Sequence, residues 1–523
     1  MSTLNERFTR GVALEGLIKQ MSLSGVLLLT VATSVRAASC ESLSSISLPN
    51  TKITLAQSVA PGKFVLPDHP WPKNPGFENF DYASLPTFCR VAAEARPTSD
   101  SHIKFEVWMP SSNWNGKFQG TGNGVWSGEI WYPPLAQALV RGYATANTDT
   151  GHEGAVDDGS FALNHPEKVI DFGYRAVHEM TVQAKAIVTA FYGRAPRFSY
   201  WNGCSSGGKQ GLKEAQQFPM DYDGIVAGAP GNYWTHLVAS LIPIGDATRP
   251  DSVHYIPPSK HQLLHKAVLA ACDSADGIKD GILNDPRRCV FDPNQLLCKG
   301  KGDSDCLTAS EAEAAAAIYR GLKTRTGRQL YPGLAPGSEL GWAFIANMRI
   351  PGVEHFRYLT FRNPSWDYRT FNAERDVARA DELDHNIINA TDPNLTRFFG
   401  HGGKVLLYHG WNDPALAPQN TIDYYNSVRL FVGNEAANNS MRLYMAPGMG
   451  HCGGGEGPNQ FDKLAALETW VEDGKAPERI IASHRQGSMT DRTRPLCPFP
   501  QLATYTGSGS TDDAANFVCS AAK

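Results

Sequence analysis

Gly203-Cys204-Ser205-Ser206-Gly207 stands between a strand-like run (Arg197–Asn202) and a segment of helical character (Ser206–Phe218). A serine on a strand-to-helix junction, flanked by glycines, sits on a sharp turn that needs close backbone approach on both sides. The five-residue pattern is common by itself; its flanks are what restrict the fold. A helix beginning there points its free N–H groups and its dipole at the serine oxygen. Comparable short apolar runs, each ending in a loop, recur at Ile225–Ala227, Lys404–Tyr408 and Met441–Met445, while His102–Met109 alternates and Gly142–Asn147 leads into a polar loop. Phe172–Tyr192 carries Val177, Met180, Ala184, Ile187 and Val188 at helical spacing. Buried parallel strands alternating with helices specify α/β architecture. Between about residues 232 and 400 the alternation breaks down into two Cys pairs, an acidic loop, an Ala-rich helix near Ala309–Tyr319 and an aromatic-rich tract. The chain therefore divides into a leader (1–37), the first part of an α/β core (38–231), an inserted lid domain (232–400) and the second part of the core (401–523).

The leader places the protein outside the cytoplasm. Leu23–Val35 is the only long apolar run, preceded by Arg7, Arg10 and Lys19, and it ends in Val35-Arg36-Ala37. It is shorter than the roughly 18–20 residues a membrane-spanning helix needs, and it has the layout of a cleavable signal peptide. Secreted or periplasmic residence makes the even set of ten cysteines a disulfide framework, and no Cys-x-x-Cys occurs to suggest a zinc or redox site. Short loops pair Cys272 with Cys289, Cys298 with Cys306 and Cys497 with Cys519. Forty-eight Lys and Arg against 52 Asp and Glu leave a net charge of −4, which lacks the electrostatic footprint of a nucleic-acid binder. No membrane association is expected after the leader is removed.

A nucleophilic serine needs a base, and the base needs a carboxylate to orient it. In α/β-hydrolases these follow in the order Ser, acid, His, each after a strand. Asp413 follows Lys404–Asn412 and His451 follows Met441–Gly450 in that order. His409 competes for the role of base but precedes Asp413 and falls inside the strand end. Cys204 adjoins Ser205 and Cys452 adjoins His451; if serine and histidine meet, their neighbours come within the 5–6 Å Cα separation of a disulfide. Cys204 as nucleophile is a poor alternative in an exported chain with an even thiol count.

Together these residues resemble the tannase/feruloyl esterase family of α/β-hydrolases, which includes mono(2-hydroxyethyl) terephthalate hydrolase. The resemblance rests on Cys204-Ser205, Asp413 and His451-Cys452, and on Tyr222–Gly231, Leu407–Asp413 and Arg492–Gln501. It implies an α/β-hydrolase core with a large inserted lid, catalysis by Ser205, Asp413 and His451, and disulfides Cys40–Cys89 and Cys204–Cys452 beside the three short-loop pairs. The oxyanion of ester hydrolysis needs preorganised N–H donors. Ser206 is one. Gly120–Gly124 is the loop for the other; the resemblance points to Gly122, with Asn123 and Gly124 left open. The family also has a structural Ca²⁺ in its lid, which implies Asp273, Asp276, Asp280 and the carbonyls of Ile278 and Ile282 as ligands; read without it, the segment is equally an acidic turn. No organic cofactor is expected.

The expected function is a serine carboxylesterase acting on small esters of aromatic acids through an acyl-enzyme. Eight aromatic residues between Trp342 and Phe371 suit a lid over a flat acyl group. Feruloyl (hydroxycinnamoyl) esters come first, gallate esters (a tannase activity) second and the terephthalate monoester third. For the third, Arg349, Arg357 and Arg362 are the candidates to grip a distal carboxylate, and Leu416 occupies a place where the terephthalate enzyme carries Phe. Two rivals differ in class: a catalytically silent secreted binding protein, and a metal-dependent hydrolase using the acidic loop. The oligomeric state is not legible.

Overall fold

The computed structural model describes residues 38–68, 80–300, 305–346 and 349–521; the expected signal peptide lies outside them. Nine strands form one mixed sheet: β1 (Thr51–Val59), β2 (Phe88–Ala95), β3 (Ile103–Pro110), β4 (Lys117–Thr121), β5 (Ala144–Thr148), β6 (Phe198–Cys204), β7 (Gly224–Gly228), β8 (Lys404–Gly410) and β9 (Met441–Ala446). Their order is β1-β2-β3-β5-β4-β6-β7-β8-β9. Strands β1, β2, β3 and β5 pair antiparallel, and from β5 to β9 every pairing is parallel. All residues of β5 and β7 are buried, as expected of parallel strands covered on both faces.

Helices supply that cover. Ala176–Tyr192 turns Val177, Met180, Ala184, Ile187 and Val188 onto the sheet, into one cluster with Val107, Phe118, Ala146, Trp201, Ile225, Leu407 and Leu443. It ends at Gly193, whose φ of 71° is left-handed, the ordinary way to stop a helix. The helical spacing from Phe172 is realised with one difference: Asp171–Arg175 winds as a π-turn before the α-helix begins. The Ala-rich helix runs Ala309–Arg320 and opens on a Thr308/Glu311 capping box.

The segment between β7 and β8 holds its own cluster, including Leu237, Ile242, Leu264, Ala315, Ile318, Trp342 and Phe356. Most of the expected lid aromatics pack there: Phe356 meets Phe361, Trp366 and Phe371 at centroid distances of 6.1, 5.5 and 5.1 Å. Five disulfides close the framework: Cys40–Cys89, Cys204–Cys452, Cys272–Cys289, Cys298–Cys306 and Cys497–Cys519. No helix among the described residues is long and apolar enough to cross a membrane.

Candidate active site

Strand β6 ends at Cys204, and the chain turns sharply at the next residue. Ser205 has φ 64° and ψ −124°, a conformation that costs an L residue about 1–3 kcal/mol. The turn exists because its neighbours lack side chains. A Cβ on Gly203 would run into the Gly207 carbonyl, and one on Gly207 would press on Gly122 at 3.0 Å. Backbone bonds hold the strain: Ser205 N–H donates to Gly228 O (2.9 Å), and Ser205 O accepts from the N–H groups of Lys209 and Gly231 (3.1 Å each). The Ser205 hydroxyl makes no hydrogen bond among the described residues.

Asp413 lies in the loop after β8 and His451 in the loop after β9. His451 Nδ1 and Asp413 Oδ2 are 2.6 Å apart. The carboxylate is buried and fully engaged: Oδ1 accepts the Ala415 and Leu416 N–H groups at 2.9 Å each, and Oδ2 also contacts His409 Nε2 at 3.0 Å. His409 has no nitrogen to spare for a base, because Nδ1 meets Thr421 Oγ1 at 2.7 Å and Nε2 also faces Leu416 O at 3.1 Å. It positions Asp413 instead. The His409/Asp413 spacing is visible in the sequence, but this division of labour is not.

Electrostatics favour an ionised pair. Burial by itself would raise the Asp413 pKa, yet the His451 charge and the two imidazole hydrogen bonds hold it well below the usual carboxylate range. Burial by itself would lower the His451 pKa, yet the Asp413 charge and hydrogen bond raise it above its ordinary 6.5. His451 Nε2 has no hydrogen bond among the described residues. Cys204–Cys452, with Cα atoms 6.0 Å apart, ties the serine loop to the histidine loop.

The amides around Ser205 are differently committed from the expectation for Gly122. Its N–H donates to Asn202 O at 3.3 Å, because the segment still follows β6 at that point. Asn123 N–H donates to Gln210 Oε1 at 3.2 Å. The N–H groups of Gly124, Val125 and Ser206 have no partner among the described residues. Gly122 is needed for space instead, since a Cβ there would collide with Gly207 Cα.

A cleft of about 370 Å³ opens at His451, lined among others by Leu340, Phe344, Asn412, Pro414 and Glu456. Phe344, half exposed, is the one of the eight aromatics between Trp342 and Phe371 whose ring meets His451, edge-on at 5.8 Å. Asn412 Oδ1 is buried without a hydrogen-bond partner. The sequence marked Phe344 only as one of eight rings and gave no sign of Asn412. Of the three arginines, Arg349 pairs with Asp158 (2.9 Å), Arg357 donates to Trp366 O (3.1 Å) and Arg362 lines a different cavity. None lines the His451 cleft. Leu416 is buried beside Asp413.

The acidic loop is tested by its donors. Asp276 Oδ2 is buried with no hydrogen-bond partner, and burial together with the charges of Asp280 and Asp273 pushes the Asp276 pKa up to about 6. The Ile278 and Ile282 carbonyls accept no hydrogen bond among the described residues. Carboxylate and carbonyl oxygens are the hard donors that a hard cation takes. Asp273 already accepts the Gly281 N–H (3.0 Å), and Asp280 Oδ2 accepts from Arg494 (2.6 Å). The three carboxylates do not bring an oxygen each within 4.8 Å of one another, so an ion would have to draw them together.

A profile described as tannase and feruloyl esterase matches residues 89–349 and 337–520. The chain belongs to this family. It is 39% identical to an uncharacterized esterase of Xanthomonas campestris pv. campestris, covering 96% of this chain and 94% of that one. It is 33% identical to a probable feruloyl esterase B-2 of Aspergillus oryzae, over 91% and 93% of the two chains. The crystal structure of feruloyl esterase B from Aspergillus oryzae superposes with a TM-score of 0.84 at 31% identity, covering 92% of this chain and 99% of that one. The fold is that of the α/β-hydrolases, and the family member described here is a carboxylic ester hydrolase.

Proposed function

We propose that the protein is an exported serine esterase that cleaves esters of aromatic carboxylic acids, feruloyl-type esters first. The observation that carries this reading is the strained, uncommitted Ser205 tied by Cys204–Cys452 to a His451 already paired with Asp413. Ser205 Oγ attacks the ester carbonyl while His451 Nε2 takes its proton, and the carbonyl π-electrons move onto oxygen. The oxyanion is met by Ser206 N–H and by the free amides of Gly124–Val125, in place of Gly122. Collapse expels the alkoxide, which receives the proton from His451. Water then repeats the sequence on the acyl-enzyme and releases the acid. Asp413 stays ionised throughout and stabilises the imidazolium. Phe344 and Leu340 offer an apolar wall for the aryl group, and Asn412 a polar contact for a ring hydroxyl. With no arginine at the cleft, terephthalate monoester ranks below ferulate and gallate. Initial rates on methyl ferulate, methyl gallate and mono(2-hydroxyethyl) terephthalate test this order. Fastest turnover of the terephthalate monoester would overturn it.

The histidine pair sets the pH profile. His451 must be neutral to accept a proton, and its pKa is raised, so kcat/KM is expected to rise with pH through an apparent pKa above 6.5. Asp413→Asn removes the charge that raises it. The acid limb should move to lower pH while kcat drops by about 10⁴. A limb that stays in place in the variant would contradict the pairing.

The acidic loop is proposed to hold a structural Ca²⁺ through Asp273, Asp276, Asp280 and the carbonyls of Ile278 and Ile282, supported by the orphaned Asp276 oxygen. When bound, the ion supplies charge compensation to the lid and takes no part in the reaction. At a hundredfold excess over Kd it is worth about 2.7 kcal/mol. For a chain of this size, with an unfolding entropy of roughly 2.1 cal/mol/K per residue, that is about 2.5 °C in Tm. EDTA should lower Tm by that amount, Ca²⁺ should restore it, and the rate on methyl ferulate at 25 °C should be unchanged. Chelation that abolishes the rate in the folded protein would favour a metal-dependent hydrolase.

A further inference from the structure

A second cavity, of about 320 Å³, is lined by none of Ser205, Asp413 and His451. Its size falls in the range of small-molecule sites and is roughly twice that of a cavity known to take up benzene. Most of the wall is aliphatic: Val169, Ile170, Leu359, Leu383, Ile387 and Ile388. Two polar side chains on the wall are unsatisfied. His355 is 2% exposed, and neither of its ring nitrogens has a hydrogen bond among the described residues; Thr360 is also 2% exposed, and its Oγ1 has no partner. Leaving a buried donor or acceptor unpaired is costly, so two on one wall form a polar spot that a ligand group would satisfy.

The backbone around the cavity is held in uncommon conformations. Phe356–Thr360 is a π-turn, and the other wall runs into the π-turn at Asp171–Arg175. Arg362 and Asn164 on the lining, and His385 and Asn386 beside it, all have left-handed φ, at 50°, 62°, 45° and 58°. π-turns and such strained residues are enriched at functional sites.

Charge narrows the ligand. Burial holds the His355 pKa down to about 3, so its imidazole is neutral and offers one donor and one acceptor. Asp384 lines the cavity, accepting the Ile388 and Asn389 N–H groups at 3.0 and 3.1 Å. The one arginine on the lining, Arg362, is exposed. A carboxylate ligand would face Asp384 with no buried cation on the lining to receive it; the buried Lys209 and Lys213, whose charges act on Asp384, do not line the cavity. We infer that this cavity is a second binding site for a small uncharged phenol, its ring among the aliphatic side chains and its hydroxyl between His355 and Thr360.

Calorimetric titration of the full chain with 4-methylphenol, and with toluene as the probe lacking a hydroxyl, tests the assignment. Wild type should bind both probes saturably. Thr360→Val, an isosteric change that removes only the hydroxyl, should weaken 4-methylphenol about five- to tenfold, the worth of one hydrogen bond, and leave toluene unchanged. Leu359→Trp, which fills the space, should abolish both; its melting temperature checks its fold, and Thr360→Val carries the test if it does not fold. Three results would overturn the proposal. One is no saturable 4-methylphenol binding, leaving water as the occupant. Another is equal affinity in wild type and Leu359→Trp, which puts the probe in the His451 cleft. The third is 4-methylphenol affinity indifferent to Thr360→Val.

Discussion

Ser205→Ala is expected to lower kcat on methyl ferulate by roughly 10⁵–10⁶, with KM and melting temperature almost unchanged. The size follows from the cooperative nature of such sites, where losing the nucleophile costs about as much as losing the whole triad. What survives is the residual catalysis of binding and oxyanion donors. The near-constant stability follows from the local structure: the Ser205 hydroxyl makes no hydrogen bond to lose, and the turn is held by backbone bonds to Gly228, Lys209 and Gly231. Alanine meets the same positive φ at little extra cost. A second readout separates chemistry from binding: wild type should react covalently with a fluorophosphonate at Ser205 and the variant should not. A variant retaining more than about one per cent of the rate would remove Ser205 from the mechanism. A folded wild type that resists the label would favour the silent binding protein.

Removing the Cys204–Cys452 bridge as the double variant Cys204→Ala/Cys452→Ala is expected to damage both stability and rate. Its cysteines are 248 residues apart in sequence, and closing so long a loop restricts the unfolded chain by several kcal/mol; native bridges typically contribute about 2–5 kcal/mol. Its second effect is geometric. The bridge joins the residue before Ser205 to the residue after His451, so it sets the gap across which the proton must move. A misplacement near 1 Å costs about 10²-fold in rate, and kcat should fall by about that factor at a temperature where the variant is still folded. Cys298→Ala/Cys306→Ala is the matched comparison. That bridge spans only 8 residues and touches neither loop, so it should lower Tm modestly with kcat intact. Equal kcat in the two double variants would show that Cys204–Cys452 acts on stability alone.

The esters, the acid limb and the calcium loop depend on these two results in different ways. Failure of Ser205→Ala would remove the acyl-enzyme and with it the pH argument. The Tm response to Ca²⁺ and the phenol site would stand, since neither uses the serine.

How much of this was legible beforehand follows the range of the forces involved. The alternating apolar runs, the strand-turn-helix around Ser205 and the order of Ser205, Asp413 and His451 are local properties. Period and turn chemistry act within a few residues, so they could be read along the chain. The short-loop disulfides are of the same kind. Gly122 marks the limit. The sequence shows a glycine-rich loop, but whether an amide in it is free depends on Asn202, eighty residues on, and the fold spends that N–H there. The same holds for His409, whose competition with His451 is settled by Thr421 and Leu416 occupying its nitrogens. Composition marked a tract of aromatic residues; only packing separates Phe356, Trp366 and Phe371, which fill the interior of the segment, from Phe344, which reaches His451. The cavity beside His355 has no sequence signature at all, because its walls come from three separated stretches and its polar spot is defined by partners that are missing. Local pattern thus determines which elements form and in what order they carry reactive residues. The assignment of each donor, ring and cavity wall needs the long-range contacts, since a hydrogen bond or an orphaned atom is a property of pairs brought together only by folding.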